Sequence, residues 1–425
     1  MQNQIIENKA IGEKYVKARH ESGLDIYICE KRDYASSYAL FGTRYGSIDV
    51  CFKTGEDADF VHVPAGIAHF LEHKLFESED GDAFTRYAKT GAYANAYTSF
   101  DRTCYLFSCS DQFEENLGIL MDFVQSPYFT KETVEKEQGI IGQEIRMYDD
   151  SPTWRVLFNL LGCLYHEHSV KVDIAGTVES IAKIDKDLLY RCYHTFYNPA
   201  NMFLCVAGNV EAARVLELCD KWLKPVKPVE ISRTFPKEPR GVAQSRCEQK
   251  LAVAMPLFTI GYKEACESAY PSVKRRVVTE LALEALFGNF SPFYKEMFDA
   301  GLINDQFGSE YFFGNGYAAC IFEGESRDPD RVYEAMNREL ERARKNGIDE
   351  GLLEAARRKL YGRQIMKFNT VESTAGLLVN AAFLREDPFA GLEAYRHVTA
   401  ADVMDHLRSA LRPEDSALSM VLPNG

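Results

Sequence analysis

The sequence predicts a mixed α/β fold built from two related halves. Strand-like and helix-like patterns alternate through residues 1–223, a proline-rich stretch follows at 224–249, and a similar pattern then begins again. The chain has 425 residues, of which 46% are hydrophobic and 26% are charged. This composition is typical of a globular chain that is long enough to bury two or more cores.

In the first half, apolar residues recur with the two-residue period of strands or the 3.6-residue period of helices. The strand patterns cover 25–29, 38–45, 92–98, 104–109 and 202–207. The helical patterns begin near Pro64 and then cover 113–125, 131–149 and 182–196. We therefore expect one domain over residues 1–223.

The stretch 224–249 carries four prolines among charged residues, which is typical of a solvated linker. After it, residues 398–424 repeat the pattern of 181–209, and the segment around Phe287 repeats that around Phe76. A duplication is the simplest explanation, so we expect a second, homologous domain over 250–425. This copy has no counterpart of the histidines discussed below, and any metal chemistry is expected in the first domain.

The net negative charge disfavours two classes of partner, nucleic acids and anionic membranes. The net charge is −14, whereas a nucleic-acid-binding surface has to be basic, and anionic membranes are disfavoured for the same reason. The N-terminus lacks the basic start and apolar run of a secretory signal, and no apolar stretch is long enough to span a bilayer. We expect a cytoplasmic protein with neither nucleic-acid nor membrane partners.

The strongest chemical motif is His69-Phe70-Leu71-Glu72-His73, which falls within the predicted helix near Pro64. Residues four apart leave a helix on one face, so His69 and His73 have the separation that one zinc ion needs. Glu72 borders the same face and could accept a proton from a metal-bound water without being a ligand. The five residues alone are also compatible with an ordinary helix surface.

A catalytic zinc site needs a third protein ligand and an open position for water. Glu137 and Glu144 are seven residues apart in the predicted helix 131–149 and therefore share a face. We expect Glu144 to be the third ligand and Glu137 to support the site by orienting a histidine. His166 and His168, which are only two residues apart, are expected to lie in a solvated loop instead.

Several runs together resemble the pitrilysin/insulinase family of metallopeptidases in order and spacing. They are Gly66 to Phe76, Asn95 to Ser99 with Thr103 and Tyr105, the helix from Glu137 to Glu144, and Asn201 to Asn209. The resemblance covers essentially the whole first half and continues more weakly through the second. The order of the motif, with the base just before the second histidine, is the inverse of the thermolysin arrangement.

The resemblance implies a clamshell of related halves, each a mostly antiparallel sheet packed against helices, that encloses a chamber for short or unfolded peptides. It makes His69, His73 and Glu144 the ligands of one zinc ion per chain. Glu72 becomes the general base and Glu137 a supporting catalytic acid. The implied activity is that of a zinc metalloendopeptidase.

The resemblance also implies a substrate-binding edge strand that contains Asn95, Ala96 and Tyr97. An edge strand offers unpaired backbone groups to an extended peptide. The alternative that Asn95 caps a turn remains open.

The second half suggests how the chain is completed. In their second half, active relatives carry an arginine and a tyrosine that reach the substrate carbonyl. The matching positions of this chain hold Met297 and Asn304. Full-size relatives join four α/β units, whereas this chain has two. We therefore expect a heterodimer in which a second family member supplies the arginine and tyrosine. A homodimer that uses other donors is the alternative.

Two other functions remain open. Some family members have lost activity and serve as scaffold or assembly subunits, but here all four motif residues are intact. The chain is also similar to small bacterial members associated with modification of translation elongation factor P, which would make it a specialised processing factor.

Overall fold

The computed structural model describes residues 2–79, 81–265 and 269–424. Up to residue 234 the strands are β1 (Gln2–Asn8), β2 (Glu13–Arg19), β3 (Asp25–Glu30), β4 (Ser37–Thr43), β5 (Cys51–Thr54), β6 (Val61–His62), β7 (Glu77–Ser78), β8 (Gly81–Asp82), β9 (Tyr93–Thr98), β10 (Thr103–Cys109), β11 (Met202–Gly208) and β12 (Ile231–Arg233). The α-helices of this part are α1 (Ile67–Leu75), α2 (Ala83–Thr90), α3 (Phe113–Val124), α4 (Lys131–Asp149), α5 (Pro152–Leu164), α6 (Val178–Ile181), α7 (Lys186–Phe196) and α8 (Ala212–Trp222).

The remainder of the chain follows a similar order of elements. Its strands are β13 (Arg246–Leu251), β14 (Leu257–Lys263), β15 (Gly308–Gly314), β16 (Tyr317–Glu325) and β17 (Ser416–Pro423). Its α-helices are α9 (Val273–Phe287), α10 (Pro292–Asp299), α11 (Pro329–Asn346), α12 (Glu350–Met366), α13 (Val371–Leu384), α14 (Ala390–His397) and α15 (Ala400–Ser409). Across the described ranges, no helix combines the length and the apolar character that crossing a membrane requires.

The chain forms two compact units, each assembled from three segments. Unit 1 comprises Met1–Ile145, Asp173–Thr234 and Ile365–Phe389. Unit 2 comprises Arg146–Val172, Phe235–Gln364 and Ala390–Gly425. These units are discontinuous along the sequence, whereas the predicted domains 1–223 and 250–425 are contiguous. The position at which one duplicated copy ends and the next begins stays a prediction. Within the expected linker 224–249, β12 pairs with β5 of unit 1.

Unit 1 is built on a sheet with the strand order β1-β2-β3-β11-β4-β10-β9. Neighbouring strands are antiparallel except β3 and β11, which are parallel. Every residue of β11 is buried, as expected for a central strand covered on both faces. Helix α13, from the C-terminal part of the sequence, packs on β11, β4 and β3.

Unit 2 repeats this plan in a smaller sheet with the order β13-β17-β14-β16-β15. Its one parallel pair within the described strands is β13 and β17. Helix α5, from the N-terminal part of the sequence, packs on β17, β14 and β13. The predicted fold of mostly antiparallel sheets packed against helices is confirmed. The local patterns did not predict that each sheet is covered by a helix from the other half of the sequence.

Candidate metal centre

Helix α1 begins at a position that only glycine can occupy. Gly66 has φ +89°, and a Cβ atom there would lie 2.3 Å from the carbonyl oxygen of Ala175. Glycine is the residue that adopts this left-handed conformation without steric cost. The left-handed turn at Gly66 fixes the residue at which α1 starts. It therefore also fixes which residues of α1 face the core.

The core-facing side of α1 carries Phe70 and Leu71, both of which have no exposed surface. His69, Glu72 and His73 lie on the opposite face, as the predicted helical spacing requires. The two imidazole rings are 4.6 Å apart between centroids. His69 and Glu72 are each 8% exposed, so the predicted base sits largely out of water.

Glu144 of α4 approaches both histidines. Its Oε1 is 3.8 Å from Nε2 of His69, and its Oε2 is 3.5 Å from Nε2 of His73. One ligand atom from each of the three residues lies within 4.8 Å of the others. In the described part of the chain, this is the one group of three or more His, Cys, Asp or Glu residues arranged in this way.

The donor set fits zinc. Two imidazole nitrogens and one carboxylate oxygen are ordinary zinc ligands, with metal–ligand distances of about 2.0–2.2 Å. Tetrahedral geometry then separates the ligand atoms by about 3.3–3.6 Å, and the distances of 3.5 and 3.8 Å from Glu144 to the histidines are close to this range. Three protein ligands leave a fourth position for water or substrate, as in catalytic zinc sites.

Glu137 lies behind His73, about two turns before Glu144 on the same face of α4. Its Oε1 is 3.0 Å from Nδ1 of His73. The buried residues Val134 and Ile141 flank Glu137 on the packed face of α4. A carboxylate on Nδ1 fixes the tautomer that leaves Nε2 free to bind a metal, and such partners are typical of zinc-bound histidines.

Glu72 is held by a residue to which the sequence analysis assigned no role. The hydroxyl of Thr98, the last residue of β9, donates to Oε2 of Glu72 over 2.7 Å. The sequence contained no signal for this bond beyond the presence of Thr98 in the family-like run, because the bond depends on how α1 packs against β9.

The electrostatics of the cluster follow from burial and from these contacts. Burial raises the pKa of Glu72, although the bond from Thr98 opposes the shift. Burial, together with the neighbouring His73, lowers the pKa of His69 to about 4. Burial also acts to lower the pKa of His73, but the bond to Glu137 and the nearby carboxylates raise it above its ordinary value. His69 is therefore neutral near pH 7, with a lone pair available for a metal.

The predicted substrate strand β9 lies at the edge of the sheet of unit 1. Among the described strands, it pairs with β10 alone. Asn95 donates from Nδ2 to the hydroxyl of Tyr93 and accepts, at Oδ1, the backbone N–H of Ala96. Tyr97 is 38% exposed. The role of Asn95, Ala96 and Tyr97 in substrate binding stays a prediction.

The expectation of a solvated loop at His166 to His168 is wrong for His168. This residue has no exposed surface, and its ring stacks on Phe235 with a centroid distance of 5.5 Å. Its Nδ1 accepts the backbone N–H of Val170. His168 is a packing residue of unit 2, which the short His-Glu-His pattern could not indicate.

Comparison with known families gives two matches along the chain. A family model described as insulinase (peptidase family M16) matches residues 42–178. A second one, described as the peptidase M16 inactive domain, matches residues 183–360. The first match contains both the histidine motif and Glu144.

Individual relatives match over nearly the whole chain. An uncharacterised zinc protease of Bacillus subtilis (strain 168), YmfH, is 40% identical over 98% of this chain and 99% of its own length. The crystal structure of an M16-like peptidase from Alicyclobacillus acidocaldarius is 36% identical, with a TM-score of 0.93 over 99% of this chain and 100% of that one. Pitrilysin, at 16% identity and a TM-score of 0.76, shares the fold over 46% of its length.

The cytoplasmic location and the link to elongation factor P stay predictions.

Proposed function

Since the chain belongs to the insulinase family of peptidases, M16, we propose that it is the zinc-bearing subunit of a zinc-dependent endopeptidase. His69, His73 and Glu144 hold the metal in this proposal, and Glu72 is the general base. The observation that carries it is the convergence of the two imidazoles and the Glu144 carboxylate beside a buried glutamate.

Zinc, when bound, supplies Lewis-acid polarisation of the scissile carbonyl and makes water more acidic. Glu72 accepts the proton of the attacking water and returns it to the leaving amine. Its raised pKa suits both steps, because a base works best when its pKa lies closer to the working pH. Glu137 keeps Nδ1 of His73 occupied and Nε2 directed towards Glu144.

The proposed substrate is an extended peptide that adds to the free edge of β9. Main-chain hydrogen bonds to an edge strand recognise the backbone and require an unfolded or short substrate. Tyr97 and Asn95 lie on this strand with exposed side chains, and we assign them contacts to the peptide, together with the backbone of Ala96.

We also propose that a second family member completes the site. Met297 is 5% exposed and belongs to the core of unit 2. Asn304 donates to Oε2 of Glu325 over 2.9 Å. Neither side chain offers the cation or phenol that would stabilise a developing oxyanion, so the proposal draws these groups from a partner chain.

The proposal is tested by metal analysis and a peptide-library digest of the chain purified alone and after co-expression with a second family member. The expected result is about one zinc per chain in both samples and faster cleavage in the co-expressed sample. Full activity of the isolated chain would favour the homodimer. Stoichiometric zinc with no cleavage in either sample would favour a non-hydrolytic scaffold and contradict the peptidase.

A further inference from the structure

The carboxylate of Glu72 is anchored by Thr98. An ionised carboxylate accepts hydrogen bonds and donates none, so the hydroxyl of Thr98 must be the donor over the 2.7 Å to Oε2. The backbone of Thr98 adds a further hydrogen bond to Glu72. Both contacts come from the last residue of the proposed substrate strand.

Thr98 is itself held in place by the adjacent strand. It is the register partner of Thr103 in β10, and the two hydroxyl oxygens are 3.4 Å apart. Thr103 is fully buried and donates to the carbonyl oxygen of Tyr45 over 2.9 Å. Each hydroxyl has one proton, and that of Thr103 is used on Tyr45. The hydroxyl of Thr98 lies 2.7 Å from the Glu72 carboxylate and 3.4 Å from the Thr103 hydroxyl, so its proton goes to the closer and charged acceptor, Glu72.

We propose that Thr98 is a positioning residue for the base, which fixes the carboxylate so that Oε2 is occupied and Oε1 faces the reactants. The inference rests on the proposed role of Glu72. The terminal torsion of a glutamate is broad and has no strong intrinsic preference. Without the hydroxyl, the backbone bond from Thr98 is left to hold the carboxylate, and its orientation spreads away from the one in which Glu72 takes the proton.

The expected effect is on the chemical step. A misplaced catalytic group costs up to about 100-fold in rate, so Thr98→Val should lower kcat by about 10-fold to 100-fold. KM and zinc content should stay as in the wild type, because the Thr98 side chain is bonded to Glu72 and is neither a proposed substrate contact nor a proposed metal ligand. Thr98→Ser keeps the hydroxyl and should remain within about threefold of the wild-type kcat.

A purely structural role of Thr98 in packing β9 predicts a different pattern. Valine has nearly the same shape as threonine, so Thr98→Val would then leave kcat unchanged. Thr259→Val is the matched control, because Thr259 is 1% exposed and its hydroxyl has no hydrogen-bond partner among the described residues. The control substitution should not change kcat.

The decisive experiment is crystal structures of the zinc-loaded wild type, Thr98→Val and Thr98→Ser, measured alongside kcat and KM. The proposal expects the Glu72 carboxylate to be rotated or spread over several orientations in Thr98→Val and to be restored in Thr98→Ser. An unmoved carboxylate in Thr98→Val overturns the proposal. If no variant hydrolyses peptide, the proposed function fails, but the carboxylate position still decides the role of Thr98.

Discussion

The two units pair their strands in the same way. In unit 1, β11 lies between β3, its parallel neighbour, and β4, its antiparallel neighbour, and β10 and β9 follow. In unit 2, β17 lies in the same way between β13 and β14, with β16 and β15 beyond. The scaffold around the candidate metal centre therefore exists twice, and the second copy shows this scaffold without the histidines.

Helices α1 and α4 correspond to α9 and α12. Phe76 and Phe287 mark the end of the first pair and are 211 residues apart. Helix α12 begins 219 residues after α4, and α13 begins 219 residues after α5. At these offsets, the replacements in unit 2 are Glu280 for His69, Leu283 for Glu72, Glu284 for His73 and Arg363 for Glu144.

Unit 2 supplies its own positive charge at this position. Glu284 is 9% exposed, and its carboxylate accepts a hydrogen bond from Nζ of Lys359 over 2.5 Å. The guanidinium of Arg363 lies 3.6 Å from the same carboxylate. In unit 1, three potential ligands face one another, which is an arrangement that an external cation stabilises. The same helix junction is thus an ion-pair link in one unit and a candidate metal site in the other.

The largest predicted effect is the loss of the metal when a ligand of unit 1 is removed. Glu144→Gln should reduce zinc from about one per chain to near zero after dialysis, because a neutral amide oxygen is a poor zinc ligand. Glu135→Gln on the same helix is the control, since the Glu135 side chain is 61% exposed and forms an exposed ion pair with Lys131. Retention of zinc in Glu144→Gln, measured by elemental analysis, would remove Glu144 from the ligand set.

Glu137→Gln should weaken the metal site without abolishing it. Loss of the carboxylate from Nδ1 of His73 lowers the basicity of that ligand, and changes of this kind cost about 10-fold to 100-fold in metal affinity. Competition with a chromogenic chelator measures the affinity. An affinity equal to that of the wild type would mean that Glu137 does not tune the site.

In unit 2 the corresponding change should affect stability and not metal content. Glu284→Gln leaves the ammonium of Lys359 without its carboxylate, and we expect a loss of about 1–3 kcal/mol in the free energy of unfolding. Glu354→Gln removes the ion pairs of a half-exposed carboxylate with Arg357 and Arg358 and should cost under about 1 kcal/mol. Urea unfolding of both variants tests the difference, and equal losses would contradict the structural role of Glu284.

A smaller effect is expected for Glu238 of unit 2, whose contribution to the free energy of unfolding should depend on pH. Burial acts to raise the pKa of Glu238, but Lys263 and the backbone N–H groups of residues 166–168 lower it from 4.5 to about 2. Because the folded-state pKa is depressed, the stabilisation is present above pH 4.5 and is lost as the pH falls towards 2.

Glu238→Gln should therefore be less stable than the wild type by about 1–2 kcal/mol at pH 7, after allowance for solvent screening. The difference should shrink as the pH approaches 2. Denaturant unfolding at pH 7 and at pH 3 measures it. A difference that is independent of pH would mean that Glu238 acts through packing alone.

Much of the first half was predictable from local patterns. Helix α4 covers the predicted residues 131–149, and α3 ends one residue before the predicted 125. The predicted helix 182–196 begins later, at Lys186, because Asp185 accepts the N–H groups of the first turn and caps it. Helical spacing also sufficed to bring His69, Glu72 and His73 to one face of α1.

The remaining features depend on contacts between distant segments. The bond from Thr98 to Glu72 requires β9 to lie beside α1, and the pair of Lys359 with Glu284 joins residues 75 positions apart. Neither contact produces a local periodicity. Helices α5 and α13 have ordinary apolar patterns that do not indicate which sheet each one covers.

The most direct test of a zinc peptidase site in unit 1 is zinc content and peptide turnover measured on the same samples of wild type and Glu72→Gln, each with its partner chain. Glu72 lies beside the proposed ligands and contributes none, so the variant should retain about one zinc per chain. Its turnover should fall by about 100-fold or more, the usual contribution of a positioned base. Equal turnover in the two proteins, at equal zinc content, would contradict the assignment.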